Sequence, residues 1–156
     1  MLIELPRHWS QWWQLPRPER RTLVAFALAL PLIDIGIRTF GLKRTQKGFS
    51  WLTRKALPRP CSDNDLANAN RLVELADIAG THGIYHITCL RQAVLVQHRL
   101  RRQGLPARLR IGARKNADGV LEAHAWVDLE GIALGQRDSG HVPFPDMDGQ
   151  PPVTKK

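Results

Sequence analysis

The sequence predicts an α+β domain, with helices first and a small antiparallel sheet after them. Apolar residues recur at steps of three or four as far as Arg101, and from Ala107 the step drops to two, the change from helical to strand periodicity. Clusters of Pro, Gly, Asn and Asp punctuate the segments. At 156 residues the chain is the size of one ordinary domain, long enough to bury a sizeable core.

Residues 1–57 read as a helical arm. "LPRPERRTLV" opens a helix around Pro18, and Pro31 predicts a kink or break within it. Trp9, Trp12 and Trp13 stand at helical spacing on the arm and form either a docking surface or a patch packed on the protein's own body. The longest apolar stretch, TLVAFALALPLIDIGI from Thr22 to Ile37, contains Pro31 and Asp34. It falls short of an uncharged span of about 20 residues, so the expectation is a buried or membrane-surface helix. Arg20, Arg21, Arg38, Lys43 and Arg44 flank it and suit a solvated rim or an anionic surface.

"PRPCSDND" is turn chemistry and separates the arm from a body of residues 58–156. In "DLANANRLVELADIAGTHG", Leu66, Ala69, Leu72, Val73 and Ala76 fall on one side, with Asp63 or Asp65 as N-cap and Gly80 as the stop. The next helix has Thr88 as its cap, Cys89 in its first turn and Gly104 as its end before Pro106. "ARLRIGARK" and "GVLEAHAWVDLEGIALG" then alternate as strands. In the second, Ala123, Ala125, Val127 and Leu129 share one face, while Glu122, His124, Trp126 and Asp128 share the other. Leu129-Glu130-Gly131 fits a three-residue hairpin loop, which sets Gln136 across from His124 and Asp138 one diagonal step on, whereas a two-residue turn Glu130-Gly131 would point both away from His124. The proline-rich end, HVPFPDMDGQPPVTKK, reads as irregular.

The formal charge of +9 attracts polyanions, acidic peptides or anionic headgroups. No helix-turn-helix, zinc-finger or base-stacking pattern accompanies it, so nucleic acid is not an expected partner. Arg99, Arg101, Arg102, Arg108 and Arg110 cluster at a helix end and the following strand, as a solvated face or as a docking surface for an acidic peptide. Cys61 and Cys89 are too few for a disulfide framework, and MLIELPRHW lacks a secretory pattern, which predicts a cytoplasmic protein with reduced thiols. The run His82, His86, Cys89 has acceptable zinc ligands but lacks a fourth, and no metal or other cofactor is expected.

Cysteine nucleophiles act as thiolates, and unpaired amides at a helix start favour negative charge there. A strand histidine can take the thiol proton, and a carboxylate or amide can orient that histidine. Cys89, His124 and Gln136 or Asp138 supply these parts in the chain order found in papain-like and transglutaminase-like cysteine enzymes.

The stretches "CLRQAVLVQHRLRRQGLPARLRIGARK" and "EAHAWVDLEGIALG" together resemble the transglutaminase-like B protein of lasso-peptide biosynthesis, across roughly residues 60–140. The resemblance implies a cysteine protease that removes the leader peptide from a ribosomally made precursor, with Cys89 as nucleophile and His124 as general base. The family usually shows an acidic residue about a dozen positions after the histidine, where Gln136 stands here. Either Gln136 or Asp138 then orients the imidazole, and a carboxylate at Asp138 would also stabilise the imidazolium. Because residues 1–57 read as apolar helices, the chain resembles the split form without its own leader-recognition domain. That form works with a separate leader-recognition protein and an ATP-dependent lasso cyclase. No G-x-x-x-x-G-K-[ST] loop is present, so ATP use belongs to the cyclase. The other function the residues allow is a catalytically silent transglutaminase-like scaffold that binds a peptide or protein partner.

Overall fold

The computed structural model describes residues 15–52, 56–81, 89–135 and 140–144. Among the described residues, three helices and a four-stranded antiparallel sheet follow one another as α1 (Arg17–Leu52), α2 (Asp63–Thr81), α3 (Cys89–Arg101), β1 (Ala107–Lys115), β2 (Leu121–Leu129), β3 (Ile132–Leu134) and β4 (Val142–Pro143); α3 lies on β1 and β2, α2 reaches β3, and α1 packs on the other two helices. The strand order is β3-β2-β1-β4. This is the expected α+β class.

Helix α1 is part of the core. Leu23, Phe26, Leu30 and Ile33 join the same buried cluster as Leu75 of α2, Leu100 of α3 and Leu129 of β2. Pro18 sits in the first turn, where a missing N–H costs nothing. The expected break at Pro31 does not occur; the non-helical residue is Gly41, at φ 77° and ψ 165°. Leu30 and Ile33, both 0 % exposed, clamp the helix on either side of Pro31, whereas glycine enters the positive-φ region without a Cβ clash. Beyond Gly41 the chain folds back until Thr45 lies against Gly36, where an added Cβ would come within 3.0 Å of Thr45 Cγ2. Asp34, the lone charge in the apolar stretch, is paired with Arg38 on its own helix and with Arg91 of α3.

Helix α2 is capped not by Asp63 or Asp65 but by Ser62, just before its first residue. Ser62 Oγ accepts the Asp65 N–H at 3.3 Å, and the Asp65 carboxylate accepts the Ser62 N–H at 3.0 Å, a reciprocal capping box. Arg59 grips the same carboxylate with two bonds of 2.7 Å. These donors, Arg59 first, hold Asp65 well below the usual carboxylate range. Replacing Ser62 with Ala should therefore lower stability by about 1 kcal/mol in urea unfolding at neutral pH. Gly80 does not stop the helix, which continues to Thr81. Its bare Cα instead admits Gln92 of α3, whose Nε2 would lie 2.3 Å from an added Cβ.

Helix α3 ends as expected at Gly104. The Gly104 N–H donates to Arg101 and the Leu105 N–H to Leu100, a Schellman closure with Gly104 at φ 80°. Arg101 Nε, one of the clustered arginines, donates to the Ala107 carbonyl at 2.8 Å and ties the helix end to β1. The chain reverses within this turn, so α3 runs back across β1 and β2 and packs on both.

The β2–β3 turn is shorter than expected. Pairing runs Val127↔Leu134, Asp128↔Ala133 and Leu129↔Ile132, which leaves the two-residue turn Glu130-Gly131 with φ of 53° and 86°. Asp128 accepts the Gly131 N–H at 2.9 Å, and the Glu130 carboxylate accepts the Cys61 N–H at 3.3 Å, contacts that hold a non-glycine residue at positive φ. A shift of one residue exchanges the faces. The register that set Gln136 across from His124 is thus replaced, and β3 ends at Leu134. The C-terminal stretch is also less irregular than expected, because Val142 and Pro143 pair with Ala113 and Gly112 as an edge strand. Proline is tolerated on such an edge.

Candidate active site

Cys89 is the first residue of α3, half-buried, a free thiol, and packed against the core cluster. Helix α3 rises about 18 Å from Cys89 to Arg101, and β1 advances about 17 Å from Ala107 to Gly112. Since α3 runs back over β1, these similar rises carry the first turn of α3 toward the same end of the layer as Gly112, whose partner on β2 is His124. The two candidate catalytic residues therefore occupy the same end of the helix–sheet layer.

Their immediate surroundings differ. Ala125, Val127 and Leu129 belong to the core beneath the helices, so alternation puts His124 on the far face with Trp126. The His124 ring stacks on Trp126 at 6.2 Å and 15°, and the ring of His141 lies 5.2 Å away, tilted by 39°. Trp126, 7 % exposed, both covers the sheet and walls the histidine. Gly112 makes the approach of β4 feasible: a Cβ there would lie 2.5 Å from the Val142 carbonyl oxygen and 2.8 Å from Trp126 Cη2. Val142 follows His141 directly, so β4 delivers the second histidine. His141 Nδ1 is buried without a hydrogen-bond partner.

Partial burial, then the positive neighbours His141 and Arg114, push His124 below the ordinary histidine value. A neutral imidazole is the form that accepts a proton. Removing a positive neighbour makes protonation easier, so His141→Ala should raise the His124 pKa, read by NMR titration of the ring protons. Cys61 stands in a contrasting place. Burial and the carboxylates of Glu130 and Asp65 push its thiol up, which disfavours the nucleophilic form.

The structure brings together His124, Trp126 and His141, and sets Cys89 at the head of α3 without a hydrogen bond to His124 among the described residues. Gln136 and Asp138 lie outside the described residues, as do Thr88, His82, His86 and the tryptophans at 9, 12 and 13. His141 was missed because its segment reads as irregular. The signal available was the Gly112 position, a gap in β1 opposite His124 that an edge strand can fill. Among the described residues no group of three His, Cys, Asp or Glu side chains is placed to hold a metal.

A cysteine that opens a helix lying on an antiparallel sheet, with a histidine on a strand of that sheet, is the arrangement of the papain-like and transglutaminase-like class. A family model described as the transglutaminase-like superfamily matches residues 33–147, and the chain belongs to that superfamily. The match begins at Ile33 inside α1 and includes both Cys89 and His124. Members of the superfamily are often cysteine proteases. No curated protein and no solved structure matches the chain significantly.

Proposed function

We propose that this chain is a cysteine peptidase that removes the leader from a ribosomally made lasso-peptide precursor, in the cytoplasm, together with a separate leader-recognition protein and an ATP-dependent macrolactam-forming cyclase. The observation that carries the reading is Cys89 as the opening residue of α3, within a superfamily match that also includes the strand residue His124.

In this mechanism Cys89 Sγ attacks the carbonyl carbon of the last leader residue, and His124 takes the thiol proton. Backbone amides of the first turn of α3 hold the oxyanion. The C–N bond breaks, His124 protonates the departing core-peptide amine, and a leader thioester remains on Cys89. Water, deprotonated by His124, attacks the thioester; the leader leaves as a carboxylic acid and the thiol is restored. Gln136 or Asp138 orients the imidazole. In the free chain His124 faces away from the helices with Trp126, so this proton transfer requires the His124 end of β2 to turn that face toward Cys89 when substrate binds.

Incubation with precursor and recognition protein, followed by mass spectrometry, tests the reading: free leader and core must appear. The silent-scaffold reading is favoured by one observation, the pairing of His124 with Trp126 and His141 rather than with Cys89. It expects intact precursor in that same experiment.

A further inference from the structure

We propose that the outer face of α1 docks flat on an anionic lipid surface, with the arginine-lined cleft at the helix start receiving a lipid phosphate. This inference is independent of the peptidase reading. The inner face of α1 is core, yet Val24, Leu28, Leu32, Ile35 and Phe40 are 45 %, 67 %, 64 %, 57 % and 64 % exposed. The first four follow at steps of four, four and three, a single apolar stripe on one side of the helix. An exposed apolar face of this extent marks a contact surface.

Charge identifies what covers it. Arg17, Arg20 and Arg21 stand before the stripe, and Arg38, Lys43 and Arg44 stand at its far end. Between Thr22 and Ile37 the one ionisable residue is Asp34, already paired with Arg38 and Arg91. An apolar face with basic ends and no polar interruption matches a headgroup layer over acyl chains better than a protein surface, whose contacts alternate apolar and polar groups.

A cleft of about 530 Å³ opens at the start of the stripe, lined by Arg17, Arg21, Thr22, Phe26 and Arg99, and no carboxylate among the described residues lines it. Arg99 Nε is buried there without a hydrogen-bond partner. The nearest acid in sequence, Glu19, is held by Arg71 of α2 at 2.8 Å. Three guanidinium groups above a phenylalanine suit a phosphodiester whose chains continue along the apolar stripe.

Length and hydropathy alone would let α1 cross a bilayer, since its most apolar window has a mean hydropathy of 1.8. Spanning would strip Leu30 and Ile33 from the core, where both are 0 % exposed. A flat orientation keeps that packing. It also leaves Cys89 free, because Arg99 lies about 15 Å further along α3.

The test is co-sedimentation of the full chain with vesicles of phosphatidylcholine, with and without phosphatidylglycerol, at low and high salt. Binding is expected only with phosphatidylglycerol and should weaken with salt. The double variant Leu28→Glu/Leu32→Glu should bind about a hundredfold less, and Arg21→Gln about fivefold less. Circular dichroism confirms that each variant is folded, and precursor cleavage in solution should stay at the level of the parent chain. Equal binding to neutral vesicles, no vesicle binding, or binding that ignores these substitutions would overturn the proposal. So would an acidic soluble protein that occupies the stripe while vesicles do not. Loss of cleavage in the parent chain refutes the peptidase reading alone.

Discussion

Replacing Cys89 with Ala should abolish precursor cleavage, by at least about a thousandfold in single-turnover rate, while the folded signal in circular dichroism is retained. Cys89 is half-buried at the edge of the core, and removal of its sulfur opens only a small space. The loss would therefore be chemical. Cys61→Ala supplies the control, since that thiol is held in its protonated form by burial and by Glu130 and Asp65. It should cleave at the parent rate. His124→Ala should match the loss at Cys89, and the double variant should lose no more than either alone, because a nucleophile and its base act as a unit. The acid limb of the cleavage profile should fall below the ordinary histidine value, because His124 is pushed down by burial and by the positive charge of His141 and Arg114. If Cys89→Ala cleaves normally, the peptidase reading fails.

The helix-then-sheet order was legible because periodicity is a property of each segment alone. Cys89 at the head of α3 was legible for the same reason: a helix with Gly104 at its end and an apolar side through Ala93, Val94 and Leu100 must begin close to Cys89. What failed to show in the sequence depends on contacts between segments. Glutamate is a poor choice for positive φ, so Glu130-Gly131 does not announce a two-residue turn; the Cys61 amide, 69 residues away in sequence, gives the Glu130 side chain its partner. Pro31 looks like a break until Leu30 and Ile33 are buried on both sides of it. Asp34 argues against an apolar environment until Arg91 arrives from α3. In the candidate site, His124 and its far-face position follow from alternation, whereas His141 is invisible without the pairing of β4 to Gly112.

That pairing sets the second large effect. Gly112→Ala should destabilise the protein by about 2 kcal/mol, seen as a fall of roughly 5 °C in Tm, because even one methyl group overfills the site. The added carbon would meet the Val142 carbonyl oxygen at 2.5 Å, and backbone cannot rotate aside as a side chain can. Gly48→Ala is the matched control: an added Cβ there meets nothing within 4 Å, so the change should be neutral or mildly stabilising through helix propensity. Gly112→Ala has a functional consequence as well. Relief of the clash pushes β4 off β1, and His141 leaves with it. The His124 ring then loses a positive neighbour, so its pKa should rise in NMR titration, in the same direction as for His141→Ala. A stability loss without that rise would mean that β4 stays in place and the strain is absorbed at Trp126, whose Cη2 is the next atom in the way.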